Sequence, residues 1–263
     1  MTAYDEQSAK IAERMSKIKR KIGIVSGKGG VGKSAVTGIL AGSFAKKNKV
    51  GLLDADITGP SIPKMFGIKG MPKGTEDTII PPVTRNGIKL MSMNLLLSEE
   101  HTPVIWRGPL LGNTVRQFLS DVEWGELDYL FIDFPPGTGD VPLTIMQSVK
   151  LDGIIFVTSP QELALMIVRK TISMAKEMKV PIIGIIENMS YLKCSRCSET
   201  LYPFGKSRLD EIAKKIGISV IGKLPIDSSI SRFSDSGRIE EYDNAEIRNI
   251  SSKIEAKLNG GKK

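Results

Sequence analysis

Two short stretches of this 263-residue chain hold residue types at spacings that do chemistry. The first is GKGGVGKS, residues 27–34, which fills every fixed position of G-x-x-x-x-G-K-[ST] between an apolar run and a helical pattern. Gly27, Gly29, Gly30 and Gly32, with Val31 among them, let the backbone curl so that its N–H groups turn inward on phosphate oxygens. The helix that follows adds the positive end of its dipole. Lys33 is expected to reach the β- and γ-phosphates of ATP, and Ser34 to offer its hydroxyl to Mg²⁺. Lys28 is a second cation, beyond what the minimal motif needs and awkwardly placed for its own phosphates. Two readings stay open for it: a reach across a dimer interface to stabilise developing charge as an arginine finger does, and a solvated surface lysine, which the spacing alone favours.

The second stretch is SYLKCSRCSETLY, residues 190–202, with Cys194 and Cys197, the chain's two cysteines. A soft metal or an iron–sulfur cluster usually takes four thiolates, so this pair is half a site. A redox dithiol needs only two, but favours the start of a helix, whereas these cysteines follow a strand and ENMS in a polar loop. The residues alone leave a bridging cluster, a bridging zinc, a dithiol and an inert pair open.

Two acidic segments accompany the loop. In LFIDFPPGTGD, Asp133 ends an apolar strand and is expected to hold Mg²⁺ through water, with the Gly137 N–H close to the γ-phosphate. In LLDADITGPS, Asp54 and Asp56 leave a strand with one residue between them and are expected to diverge rather than form a carboxylate pair. Asp56 is the candidate for orienting an attacking water; its bland alternative is a turn cap.

Elements that alternate between strand and helix must position these residues. Apolar runs at 21–27, 49–56, 88–93, 127–134, 153–159, 181–188 and 219–225 read as strands covered on both sides. Helical patterns fall at 33–47, 109–119, 141–149, 162–178, 205–216 and 245–258. The expected fold class is α/β, a P-loop NTPase with a mostly parallel, doubly wound sheet flanked by helices. Its ligand lies at the carboxyl ends of the strands. One domain is expected over 1–263, with an N-terminal helix at 1–20, the cysteine-containing loop at 190–204, and a C-terminal helix and basic tail at 245–263. Residues 59–87, rich in Gly and Pro, read as an excursion with little regular structure. Ile11, Met15 and Ile18 stripe the first helix, and Ile247, Ile250, Ile254 and Leu258 the last.

A composition 41% apolar and 25% charged is ordinary for a globular protein. No apolar run approaches the ~18 residues of a membrane span, and the charged N-terminus lacks a signal peptide's apolar centre, so the expected location is the cytoplasm. The net charge is +8, but residues 1–21 hold six Lys/Arg against three Asp/Glu and residues 253–263 four Lys against one Glu. Excess charge in two tails describes solvated ends rather than a nucleic-acid surface. His101 reads as a surface residue, while Trp106 and Arg107 read as candidates for a partner surface or the core.

KGGVGKS resembles the deviant P-loop class of MinD, ParA, the arsenite-pump ATPase and the nitrogenase iron protein, whose extra lysine acts in trans. SGKGGVGKS, DADITGPSIPKMFG, VIWRGPL, DYLFIDFPPGTGD, IIGIIENMSYLKCSRC, YPFG and IGKLPID resemble, in order and spacing, the Mrp/ApbC family of iron–sulfur cluster carrier ATPases. The match runs from about residue 20 to about residue 240. This resemblance implies a homodimeric, slowly hydrolysing ATPase that holds a 4Fe-4S cluster between two subunits, takes it from a donor and passes it to apo-proteins. Asn188 would then bond the adenine, Pro225 and Ile226 would line the base pocket, and Cys194 and Cys197 would be cluster ligands, with zinc the rival occupant. CSRC lacks the proline that the family often has at this motif, and KSR stands where a glycine-rich run is common. The alternative from the wider class is a positioning switch on a membrane or DNA, for which the C-terminal amphipathic helix is the best support.

Overall fold

Val, Ile, Leu and Phe alternate between two faces along the central strands, and each face is roofed by helices. A computed structural model describes residues 3–56, 62–75, 78–92, 95, 108–137, 139–161, 172–173 and 175–260. In chain order the elements are α1 (Ala3–Ser16), β1 (Ile18–Ser26), α2 (Lys33–Ala45), β2 (Val50–Asp54), α3 (Ile62–Met65), β3 (Lys73–Thr75), β4 (Thr78–Ile80) and β5 (Lys89–Ser92). There follow α4 (Gly108–Asp121), β6 (Leu127–Asp133), α5 (Asp140–Ser148), β7 (Gly153–Thr158), β8 (Ile182–Lys193) and β9 (Thr200–Leu201). The chain closes with α6 (Leu209–Ile216), β10 (Val220–Pro225), α7 (Ser228–Asp235), a 3₁₀ turn (Ile239–Glu241) and α8 (Ala245–Gly260).

Seven strands pair in the order β10-β8-β7-β1-β6-β2-β5, every pairing parallel. Period-two alternation divides their side chains. On β7, Ile154 and Phe156 enter one core cluster and Ile155 and Val157 the other; on β6, Leu130 and Ile132 face away from Phe131. One cluster lies beneath α1, α4 and α5, the other beneath α2 and α8. The strand ends of β1, β2 and β6 therefore lie together, with Asp54 in register with Asp133 and Asp133 with Ile24.

Several segments differ from the sequence reading. Ile18 opens β1 instead of extending the stripe of α1. The regular structure described within the excursion is short, as expected: α3 and the antiparallel β3–β4 hairpin. β8 runs to Lys193, beyond the expected 188, and folds back antiparallel onto β9, so the expected cysteine loop is the end of a hairpin. α7 was not anticipated. Ile247, Ile250, Ile254 and Leu258 of α8 are buried in the core, so the apolar face that would lie on a bilayer is already covered. Among the described residues no helix is long and apolar enough to cross a membrane. His101, Trp106, Arg107 and most of the helix expected at 162–178 lie outside the described residues.

Candidate functional site

The loop after β1 turns through left-handed conformations at Gly30 (φ 81°) and Gly32 (φ 76°), which only glycine adopts without strain. Gly32 is also crowded: a Cβ there would stand 2.3 Å from Asn188 Nδ2. α2 begins at the next residue with no acidic side chain in its first turn and no side-chain cap, leaving its positive end uncompensated by the chain.

Three groups of α2 converge on one carboxylate. Lys33 Nζ donates to Asp133 Oδ2 at 2.6 Å, Ser34 Oγ donates to the same oxygen at 2.7 Å, and Thr37 Oγ1 lies 2.7 Å from Asp133 Oδ1. Asp133 is fully buried and Lys33 nearly so. A buried carboxylate and a buried ammonium persist only when paired, and the two hydroxyls satisfy what the ion pair leaves over. Asp56 Oδ2 stands 3.8 Å from Lys33 Nζ, so this carboxylate also faces the lysine.

Strand spacing does not make Asp54 and Asp56 diverge, since residues two apart share a face; β2 ends at Asp54, and Asp56 lies beyond it. Asp54 is fixed by the Ser92 hydroxyl at 2.9 Å and the Asp56 N–H at 3.1 Å. Burial, and then the neighbouring charge of Asp133, push the Asp54 carboxyl up to about 8. The strand end thus sets Asp133, paired with the Lys33 ammonium, beside a second aspartate whose carboxyl is held toward its protonated form.

The other predicted nucleotide residues sit nearby in arrangements that differ from the expected contacts. Gly137 donates its N–H to Ser26 O at 3.0 Å, so reaching a γ-phosphate requires breaking that bond. Asn188 donates from Nδ2 to Val31 O at 3.0 Å and is thereby held against the loop rather than turned to a base. Pro225 and Ile226, at the end of β10, are half-buried; the Ile226 N–H donates to Tyr191 O at 2.7 Å on the neighbouring strand. Lys28 donates to Gln161 Oε1 at 2.9 Å within its own chain, an exposed contact that a move across an interface would release.

Thr37 was missed, although it stands one helical turn beyond Lys33 and Ser34 on a helix already placed. Gln161 carried no signal. Glu187 was missed as well; a charged residue inside the apolar run PIIGIIEN was its trace.

Cys194 and Cys197 occupy the turn between β8 and β9. The Cys194 N–H donates to Glu199 O and the Ser198 N–H to Cys194 O, both at 2.9 Å, with Ser198 left-handed at φ 59°. Both thiols are free, Cys194 half-buried and Cys197 exposed. Backbone N–H groups of Cys197 and Arg196, then the Cys197 side chain, hold the Cys194 thiol below its ordinary range. Such a nest favours thiolate, the form that binds metal. The cysteines sit in a hairpin turn and not at a helix start, which separates them from a thioredoxin-like dithiol. Among the described residues no group of three or more His, Cys, Asp or Glu is arranged for a metal. The pair therefore remains two ligands short of a tetrahedral thiolate set.

Residues 17–259 match the family model of the NUBPL iron-transfer P-loop NTPases. An iron-sulfur cluster carrier protein of Methanocaldococcus jannaschii is 50% identical over 98% of this chain and 91% of its own. One of Clostridium perfringens is 45% identical over 89% of this chain and 85% of its own. A nucleotide-binding protein of Archaeoglobus fulgidus, solved in complex with ADP, superposes with a TM-score of 0.80 at 47% identity, over 90% of this chain and 94% of that one. The septum site-determining protein MinD of Pyrococcus horikoshii, complexed with Mg-ADP, shares the fold at a TM-score of 0.62 and 21% identity, over 90% and 94% of the two chains.

Proposed function

This chain belongs to the NUBPL iron-transfer P-loop NTPase family, and from that premise we propose that it is an ATP-dependent iron–sulfur cluster carrier. In this reading a homodimer holds a 4Fe-4S cluster between its two Cys194–Cys197 turns, receives it from a donor and delivers it to apo-proteins in the cytoplasm. One observation carries the proposal. An exposed hairpin presents two thiols, one of them in an N–H nest that favours thiolate, and among the described residues no group of three or more His, Cys, Asp or Glu is arranged around them for a metal. A second copy related by a two-fold axis completes the set of four. Leu201, Tyr202 and Phe204, large apolar side chains left exposed next to the same turn, suit a contact with that copy.

On the nucleotide side, Ser34 and Asp133 offer the hard oxygens that Mg²⁺ takes, and their 2.7 Å hydrogen bond already brings them together. When bound, Mg²⁺ supplies neutralisation of β- and γ-phosphate charge. Lys33 leaves Asp133 for the phosphates, and the start of α2 with the loop N–H groups receives them. Asn188 and the Pro225–Ile226 segment take the base. Asp56 orients the attacking water, and Lys28, released from Gln161, stabilises charge across the dimer. Hydrolysis by in-line attack is slow and serves switching between conformations.

Anaerobic reconstitution tests the carrier reading. About four irons per dimer, with brown colour and visible absorption, are expected, and Cys194→Ala or Cys197→Ala abolishes both. Zinc retained at one per dimer without cluster uptake rejects the cluster in favour of the rival metal.

A further inference from the structure

Glu187 is fully buried in β8, between Thr158 of β7 and Lys223 of β10 in register, and neither the nucleotide site nor the thiols use it directly. Its two oxygens go to two different places in the chain. Oε2 accepts from Ser190 Oγ and Oε1 from Ser207 Oγ, each at 2.5 Å. Ser207 Oγ in turn accepts the Leu209 N–H at the start of α6. Between these serines lies the cysteine hairpin, and residues 195–206 within it are exposed without a break. A segment with so few buried anchors takes its position from its roots. Both roots are fastened to one carboxylate.

The next residue faces the other way. Ile185 of β8 enters the core cluster that also contains Leu209, while Ile186 enters the cluster that contains Val31. By the same alternation Glu187 serves the hairpin side of the sheet and Asn188 the loop side, where its amide reaches Val31 O. Met189, at φ 56°, then breaks the strand geometry between Asn188 and Ser190. Loop, strand end and both hairpin roots are thus joined across two adjacent side chains.

We infer that Glu187 is a positioning residue that transmits the state of the nucleotide loop to the Cys194–Cys197 turn. The inference rests on the carrier reading for its purpose, though its test does not require a cluster. A nucleotide that draws Asn188 off Val31 O has different contacts in the two arrangements of β8, which is what a ligand needs in order to shift an equilibrium. The carboxylate converts that shift into a movement of both roots together. Coupling of this kind is reciprocal, so occupation of the thiols alters nucleotide affinity by the same factor.

The experiment measures the iodoacetamide alkylation rate of Cys194 in a Cys197→Ser background, without nucleotide and with MgADP or MgATP. In the parent a nucleotide-dependent rate change of about 5-fold or more is expected, the low end of ordinary coupling. Glu187→Ala brings that ratio to about one while nucleotide still binds; Glu187→Gln, which can accept from one serine and donate to the other, retains it. Ser207→Ala frees one root, gives an intermediate ratio, and stands in for Glu187→Ala should that variant not fold. An unchanged ratio in folded Glu187→Ala, or in Ser207→Ala when that is the variant available, overturns the inference. So does a ratio of one in the parent, even if reconstitution yields about four irons per dimer and the carrier reading stands. A persistent, Glu187-dependent ratio in protein that takes up no iron upholds the inference and removes the carrier reading alone.

Discussion

The phosphate-loop end of the sheet and the cysteine hairpin are both extensions of strands, yet one is closed upon itself and the other is open. At the loop, Asp133 is buried with an ammonium and two hydroxyls on it, and a second aspartate beside it is held toward its protonated form. The buried charges of Lys33 and Asp133 meet within one chain, while the start of α2 keeps its positive end open. At the hairpin the two thiols stand exposed or half-exposed with exposed apolar neighbours, and the ligand set is half complete. A closed site is preorganised and must be opened by its ligand, whereas an open one has little to lose until something covers it. Stability should therefore be concentrated at the first site, and assembly at the second.

The sharpest way to break this contrast is to remove a partner from each. Lys33→Met leaves the Asp133 carboxylate buried without its cation and should cost about 3–5 kcal/mol in urea denaturation, with loss of nucleotide binding. Adding Asp133→Asn should restore part of the stability and none of the binding, because the two losses are not additive. Cys194→Ser, by contrast, should stay within about 0.5 kcal/mol of the parent while iron uptake disappears. Equal costs at the two sites would undo the comparison.

Gly32→Ala probes the loop's geometry without touching a charge. The new methyl meets Asn188 Nδ2, and the left-handed backbone is strained for any side chain. A loss of about 2–3 kcal/mol is expected, together with weaker ADP binding by calorimetry. Ser198, left-handed at φ 59° in the cysteine turn, is a non-glycine residue already in such a conformation, so Ser198→Gly should be neutral or slightly stabilising.

What the sequence made legible follows the same division. The phosphate loop is a local motif whose residues act within eight positions of one another, and the parallel strands are nearly unbroken apolar runs, so the fold class and the family resemblance could both be read. The long-range contacts could not. Asp133 meets Lys33 one hundred positions away. Thr37 completes that set only because β6 lies beside β1, a pairing that apolar runs do not specify. The hairpin was read as a loop because KCSRCSET is polar throughout: strand pairing there is carried by backbone bonds, with no buried face to impress a period of two. Glu187 was visible as a charge in an apolar strand, but its partners, Ser190 and Ser207, are ordinary surface residue types.

Asp54 gives the most specific test, because its effect is confined to a pH window. Its carboxyl is raised from about 4 in the unfolded chain to about 8 in the folded one, first by burial and then by Asp133. Between those values the folded protein holds a proton that the unfolded chain has released. Stability therefore falls as pH rises through the window and levels off above about 8, at most by about 1.4 kcal/mol per pH unit. Asp54→Asn keeps a group that can both donate and accept toward Ser92 and the Asp56 N–H, and removes the proton linkage. The variant should match the parent near pH 4 and exceed it progressively as pH rises to 8, the direction set by a folded-state carboxyl raised by burial and by Asp133. The hairpin should respond in the opposite sense: the Cys194 thiol is held below its ordinary range, so its ionisation favours the folded chain as pH rises, and Cys194→Ser removes that gain without any fall toward pH 8. Parallel curves for Asp54→Asn and the parent would mean that the two aspartates at the strand end share their charge more evenly than burial and register imply.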